Sequence, residues 1–435
     1  MSAPCLRRAR PFTLALLLCL TALVAGSCAR SDEPRSLSVD DFSFEGPLGS
    51  QGASVEEVGR NHFRVRLGAA PNQPGWPNKL NFRILRNARG NQLRLDVVFP
   101  QGQNYSFNEY HQSFSYDGTH WHPIAWQKGY AASPLDDTLV FPPFTSDEVF
   151  VGTQVPMSWD DALGLIDAWR QSPHVTVHTV GQTLGGRDML RLEITDKDSP
   201  HPRAQRWVHY FANQHPGEHN SQWRLAGLVD WLLSDEGADV RRRQIVHVVM
   251  MMSPDAPSQG WYRVNAQGVD MNRSYRPEGA AEGVQAHEAY LWQRDLEALM
   301  ASDAPVTTIW AIHTWPGIVE PRITPGPEFG AANSPPNGDG LGDWTKLREV
   351  MLKTDRLGLI EPLTQTAGSQ YGNTSWTDGP HAQFGITAIL CEGGAVLQTR
   401  QLNEASGVAI IKALGEFYTG LRPAPAPTPG AAPTP

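Results

Sequence analysis

His215 and Glu218, in the stretch Asn213-Gln214-His215-Pro216-Gly217-Glu218-His219-Asn220, have the HxxE spacing of half a zinc site. A catalytic Zn2+ takes three protein ligands and keeps a fourth position for water. The third ligand must come from far downstream, and the run Ile309-Trp310-Ala311-Ile312-His313-Thr314-Trp315 offers His313. Two neutral imidazoles and one carboxylate leave the ion with net positive charge, which lowers the pKa of its water and polarises a carbonyl oxygen. A second carboxylate, outside the ligand set, must then accept the water's proton. Glu392, directly after the apolar run Ile386–Cys391, fits that part. Between the two halves lies Gly268-Val269-Asp270-Met271-Asn272-Arg273, where Asn272 and Arg273 have the chemistry to read a carboxylate, since a guanidinium binds one in a planar, bidentate way. The chemistry implied is metal-assisted hydrolysis of a substrate that carries a carboxylate.

Residues His215–His219 also satisfy HxxEH, which holds a metal only when both histidines share one face of a helix. Pro216 and Gly217 sit inside that spacing and both disfavour a helix interior. The preceding Arg206–Ala212 reads as a buried strand. His215 and Glu218 are therefore expected on a loop at a strand's carboxyl end, with His219 a bystander. His287 and His381 read as structural or exposed.

The elements that position these residues follow from periodicity. Ser158 is placed to cap a helix through Asp160–Gln171, with Asp161 three residues on. A Gly-rich turn and a strand follow at Gly181–Thr195. Apolar strands are predicted at Trp207–Ala212, Ile245–Met251, Thr307–Ile312 and Ile386–Leu390, and helices at Gln222–Leu233, Glu282–Met300, Leu341–Thr354 and Glu404–Tyr418. Strands alternating with helices imply an α/β fold, a mixed and mostly parallel sheet with helices on both faces. Active sites of such sheets gather at strand carboxyl ends, and His215, His313 and Glu392 each follow a predicted strand. Upstream, residues 41–156 show short alternating segments with turns at Asn87–Gly90 and Tyr116–Gly118, the pattern of antiparallel strands in an all-β sandwich.

With 435 residues the chain has room for two domains. A formal charge of −9 argues against a nucleic-acid partner, and Arg241–Arg243 reads as a solvated corner. Residues 1–27 read as a signal peptide: Arg7, Arg8 and Arg10 precede an apolar core at 11–26 too short for a membrane span. Ala25-Gly26-Ser27-Cys28 resembles a bacterial lipobox, and the same bond also suits ordinary signal cleavage. The protein is thus expected to be exported, either a membrane-anchored lipoprotein facing the periplasm or cell surface, with the anchor at Cys28 its one membrane contact, or simply secreted. Of four cysteines, Cys5 and Cys19 leave with the leader, and Cys391 reads as a buried small hydrophobe. Residues 28–40 form a linker, 157–421 the catalytic domain, and the Pro/Ala-rich 422–435 an extended tail without a core.

The blocks Ala212–Trp223 and Ser253–Tyr275, in this order and with the His313 and Glu392 segments, resemble a zinc carboxypeptidase of the carboxypeptidase A superfamily, nearest to bacterial members of the cytosolic carboxypeptidase subfamily. Residues 41–156 resemble the sandwich that precedes the catalytic domain there. The resemblance implies one Zn2+ per chain, held by His215, Glu218 and His313, with Glu392 as general base and later proton donor. It implies that Asn272 and Arg273 bind the terminal carboxylate of a peptide and that Arg263 polarises the scissile carbonyl. Tyr371 is the candidate for a substrate-contacting tyrosine.

Departures from the pattern bear on substrate. Ser253-Pro254-Asp255-Ala256 stands where Asn-Pro-Asp-Gly is usual, and an exported protein does not meet tubulin. The specificity position falls on Thr374 or on Asp378 according to the anchor used, giving a neutral pocket or one for a basic side chain. Two other functions fit part of the pattern: an amidohydrolase of the aspartoacylase or desuccinylase kind, and a non-catalytic lipoprotein that binds peptide or cell-wall fragments.

Overall fold

The computed structural model describes residues 34–100, 111–124, 138–315, 317–323, 344–365 and 372–422. The expected leader, Cys28, Tyr371 and all but the first residue of the Pro/Ala-rich tail lie outside the described residues.

The amino-terminal part is rich in short strands. Five of them (Phe42–Ser43, Phe82–Ile84, Val149–Thr153, Gln112–Ser115, Trp121–Pro123) form one antiparallel sheet in that order. Four more (Thr138–Val140, Arg94–Val98, His62–Arg66, Ser54–Gly59) form a second. Inward-facing Phe63, Val65, Phe82, Ile84, Leu95, Val97, Phe114 and Val151 share one core between the sheets. Alternation delivers these side chains to one face, as the sequence pattern requires. One pairing departs from the antiparallel expectation: His62–Arg66 runs parallel to Arg94–Val98. Alternation fixes which face is buried, not the direction of the neighbouring strand.

From Ser158 onward helices alternate with an eight-stranded mixed sheet. Its order is Val175–Gln182, Asp188–Ile194, Gln244–Val249, Trp207–Ala212, Thr308–Ile312, Thr387–Glu392, Glu320–Ile323, Thr364–Gln365. The three central pairings are parallel, while those of Asp188–Ile194 and Glu320–Ile323 with their inner neighbours are antiparallel. Both faces are covered. Trp207 and Phe211 pack with helices α1 (Trp159–Trp169), α2 (His219–Leu233) and α7 (Arg400–Phe417) on one side. The alternate residues Val208, Tyr210 and Ala212 pack with Trp292 and Leu296 of α4 (His287–Met300) on the other. A strand buried on both faces reads as a continuous apolar run, which is why these strands were legible. Ser158 caps α1 reciprocally with Asp161, Asp161 N–H donating to Ser158 Oγ at 3.0 Å.

Arg241–Arg243 is a solvated corner only at Arg242, which is exposed. Arg241, in the short helix α3 (Ala238–Arg243), is buried and donates to the carbonyls of Leu232 and Ser234, and Arg243 donates to that of Tyr418. Long side chains in a basic run can turn inward where carbonyls at helix ends need donors. Among the described residues no helix is long and apolar enough to cross a membrane.

Candidate metal centre

Three adjacent parallel strands end at the site. Trp207–Ala212 leads through Asn213 and Gln214 to His215. Thr308–Ile312 is followed at once by His313, and Glu392 is the last residue of Thr387–Glu392. Register brings them level: Ala212 pairs with Ala311 and Ile312 with Cys391, and His313 N–H donates to the Cys391 carbonyl at 2.9 Å. His313 and Glu392 therefore occupy matching positions on neighbouring strands.

His215 sits on a loop, as expected. Glu218 is the residue immediately before α2, with non-helical backbone, and His219 is the helix's first residue. Ligating atoms of His215, Glu218 and His313 lie within 4.8 Å of one another, and all three side chains are buried. Glu218 Oε1 is 2.8 Å from His215 Nδ1 and Oε2 is 3.1 Å from His313 Nδ1. The two Nδ1 atoms are 2.9 Å apart. The Thr314 N–H donates to Glu218 Oε2 at 2.9 Å.

Asp270 was not singled out by the sequence and proves central. Its Oδ1 lies 3.0 Å from His215 Nε2, and Arg263 Nε donates to its Oδ2 at 2.5 Å. A carboxylate on the far nitrogen of a ligating imidazole fixes the tautomer, so that Nδ1 presents its lone pair to the cluster. Asp270 Oδ1 also accepts the Asn272 N–H at 2.8 Å, which orients the next two candidates. Asn272 Nδ2 is 3.4 Å from His313 Nε2, and its Oδ1 accepts the Trp376 N–H at 2.8 Å. Arg263 Nη1 reaches to 3.3 Å from His215 Nδ1, and Arg273 Nη1 donates to the Asn272 carbonyl at 2.7 Å. The available signal for Asp270 was its place in Gly268–Arg273, two residues before Asn272.

Buried charges in the cluster compensate one another. Burial alone would raise the Glu218 pKa, yet its electrostatic and hydrogen-bond interactions with His215 and His313 hold the carboxyl well below its usual range. Asp270 behaves alike: burial opposes ionisation, and Arg263 and His215 outweigh it. For His215, burial and Arg263 work against protonation, and Glu218 and Asp270 reverse the balance. Two buried carboxylates thus flank the His215 imidazole, one at each ring nitrogen. Two nitrogens and an oxygen at this spacing fit Zn2+.

The remaining histidines stand apart from the cluster. His219 is buried against Gln222, and burial, then the charge of Lys79, pushes its imidazole down to about 3. His381 Nδ1 faces the Ile386 carbonyl at 2.9 Å and His287 Nε2 that of Gln182 at 2.9 Å. Thr374 and Asp378 flank Trp376 on the segment that Asn272 holds; the Thr374 carbonyl accepts the Tyr275 N–H, and Asp378 opens helix α6 (Asp378–Phe384). Cys391 is buried, and burial pushes its thiol up to about 11. Asp255, in the departing Ser253–Ala256 block, is buried and accepts from Thr183, Gly185 and Arg187, which anchors the loop leading to Arg263.

Residues 165–306 match the zinc carboxypeptidase family model. That stretch thus carries the sequence of a zinc carboxypeptidase domain. Within the matched stretch lie His215, Glu218, Arg263, Asn272 and Arg273, while His313 and Glu392 lie beyond it. The carboxypeptidase domain is similar to cytosolic carboxypeptidase 2 of Danio rerio, 30% identical over 158 residues, which are 34% of this chain and 22% of the relative. It is also similar to cytosolic carboxypeptidase 3 of Bos taurus, 37% identical over 103 residues, 23% of this chain and 10% of the relative. The chain thus spans about a fifth or less of those relatives' length. Its fold is that of a metallo-carboxypeptidase from Pseudomonas aeruginosa, solved with (2-guanidinoethylmercapto)succinic acid, at TM-score 0.68 and 19% identity over 86% of this chain and 98% of the other. A metallo-carboxypeptidase from Burkholderia cenocepacia gives TM-score 0.66 and 18% identity over 86% and 98%.

Proposed function

We propose that the protein is an exported zinc-dependent metallocarboxypeptidase that removes residues one at a time from free carboxyl termini. The observation that carries this reading is the convergence, in one buried centre of a carboxypeptidase domain, of the His215–Glu218–His313 donors with Arg263, Asn272 and Arg273. Zn2+ held by the three donors supplies a Lewis acid and lowers the pKa of water in the site. Arg273 pairs with the substrate's terminal carboxylate, and Asn272 adds a hydrogen bond. This fixes the last peptide bond relative to the donor cluster. Arg263, steadied by Asp270, faces the developing negative charge on the scissile carbonyl oxygen. Glu392, level with His313, accepts the proton of the attacking water and delivers it to the departing amine, so that one carboxylate serves both transfers.

Export rests on the residues 1–28 pattern. Cell fractionation of wild type and Cys28→Ser checks it: a lipoprotein shifts from membrane to soluble fraction in the variant, and recovery of both in the cytoplasm rejects export.

The function is tested by metal analysis and a peptide digest read by mass spectrometry. Wild type is expected to hold one zinc and to ladder peptides from a free carboxyl end, leaving amidated copies intact. His215→Ala and His313→Ala should lose most of the zinc. Glu392→Gln should keep it and lose about 10²–10⁴ in turnover. Cleavage of amidated peptides at equal rate, or release of acyl groups from N-acyl amino acids without trimming, rejects the carboxypeptidase reading.

A further inference from the structure

Arg224 ties helix α2 to two of the strand ends that form the centre, and neither the sequence motifs nor the proposed mechanism uses it. It lies on α2, two turns beyond the ligand Glu218, and is 1% exposed. Its guanidinium reaches under the strand ends. Nη1 lies 3.3 Å from the His313 carbonyl and 3.4 Å from that of Cys391, and Nη2 donates to the Gly393 carbonyl at 3.0 Å. The acceptors are therefore main-chain oxygens of the third candidate ligand and of the residues on either side of Glu392. Its remaining donor, Nε, has no partner among the described residues. A buried cation is costly to install for packing alone, and an apolar side chain of similar volume is commonly at least as stable there. Geometry is what a forked, planar donor set supplies and an apolar chain does not.

The surroundings are shaped to it. Gly394 has φ +86°, and a Cβ there would come 2.3 Å from Arg224 Nη2. Gly393 has φ +85°, and a Cβ there would meet the Ile318 carbonyl oxygen at 1.8 Å. On α7, a Cβ on Gly407 would come 1.8 Å from the Arg224 carbonyl oxygen. The Glu392-Gly393-Gly394 sequence thus opens the space that the guanidinium fills, directly after the proposed general base.

We infer that Arg224 is a positioning residue of the centre: by binding the carbonyls of His313, Cys391 and Gly393 it sets the distance between the third metal ligand and Glu392, and locks both to the helix that Glu218 directly precedes. The inference rests on the proposed function for its kinetic consequence only. A displacement of about 1 Å between reacting groups costs on the order of 100-fold, so loosening the tie lowers kcat while the Arg273 contact that governs KM stays in place.

The test uses full-length protein with cobalt in place of zinc, whose visible absorption reports ligand geometry. Arg224→Lys keeps the charge and cannot fork across three carbonyls. It is expected to fold and bind cobalt, to show an altered visible spectrum, and to lose about 10- to 100-fold in kcat with KM changed less than threefold. A merely structural arginine would lower the melting temperature and leave the spectrum and the kcat of the folded protein unchanged, and that result overturns the inference. If Arg224→Lys does not fold, Gly394→Ala, which presses on Nη2 from the other side, is read against the same outcomes. Wild type that binds cobalt but trims no peptide would defeat the proposed function instead, and the spectral comparison alone would then decide the role of Arg224.

Discussion

Asp270 shows how a residue outside the ligand set decides the state of one inside it. Its Oδ1 holds His215 Nε2, and its Oδ2 holds Arg263. Asp270→Asn keeps the shape and removes the charge. Zinc affinity is expected to fall about 10- to 100-fold, the usual worth of such an outer carboxylate, with a further loss in kcat/KM because Arg263 is freed. Competition with a fluorescent chelator measures the first effect; unchanged affinity would mean that the His215 tautomer is set elsewhere. The His215, Glu218 and His313 cluster was legible in the sequence because a metal site needs particular donor types and both histidines closely follow apolar runs; Glu392 ends such a run too, and its part as base belongs to the proposed function. Asp270 and Arg224 were not legible, since a carboxylate in a turn and a lone arginine in a helix carry no spacing rule. Only folding shows that Arg224 points at three carbonyls. Spacing does not separate Thr374 from Asp378 for the same reason: specificity is a matter of which side chain faces the cavity.

At the scale of elements, the central strands were read within one or two residues, and helix starts were read less well. Helix α2 begins at His219 rather than Gln222 because Glu218 sits at its N-cap without capping it, its carboxylate being committed to His215 and His313. No Ser, Thr, Asp or Asn marks that start. Helix α4 begins at His287 rather than Glu282, after the left-handed turn at Gly283. Helix α7 begins at Arg400, where Thr399 accepts the Leu402 N–H. Three strands of the large sheet, Val175–Gln182, Glu320–Ile323 and Thr364–Gln365, escaped because they lie toward its margins and are short, polar or interrupted by proline. Helix packing has its own residue code. A Cβ on Gly227 of α2 would come 2.3–2.6 Å from main-chain atoms of Glu404 in α7. Gly227→Ala is expected to destabilise by about 1–3 kcal/mol through overpacking. Gly164→Ala in α1, where nothing lies within 4 Å, should instead stabilise by about 0.5–1 kcal/mol. Urea unfolding of the pair checks the opposite signs; equal effects would mean that α2 and α7 are not in close approach.

Across the whole molecule, the strand-rich region and the carboxypeptidase domain share the burden of holding the centre. Trp223 donates to the Val155 carbonyl at 2.8 Å, and the Asn220 N–H to Gln154 Oε1 at 3.3 Å. Lys79 Nζ lies 4.3 Å over the Tyr262 ring, and a Cβ on Gly217 would meet Lys79 Cε at 2.9 Å. The amino-terminal sheets therefore back both the first turn of α2 and the loop that carries Arg263. The same dense packing makes the fold acid-sensitive. His209 and His219 are buried neutral, with imidazoles pushed down to about 3 by burial, and His247 is held well below its ordinary value by burial and by Arg191. A group whose folded pKa is depressed contributes stability above its unfolded pKa and loses it as pH falls toward the folded value, because the unfolded chain binds the proton that the fold refuses. The window opens near the ordinary histidine value of about 6.5. Glu218 and Asp270, also depressed, add to the loss only below the ordinary carboxylate range. Between pH 6 and 5 the histidines thus set the slope, each contributing up to about 1.4 kcal/mol per pH unit. His209 is the cleanest probe. It sits in the middle of the Trp207–Ala212 strand, against Thr308 and the Tyr418 ring, away from the metal ligands. His209→Leu in zinc-saturated protein is expected to flatten the pH dependence of urea stability by about one proton over that interval. An unchanged slope would show that His209 takes up its proton inside the fold, and that the strand's interior tolerates a charge.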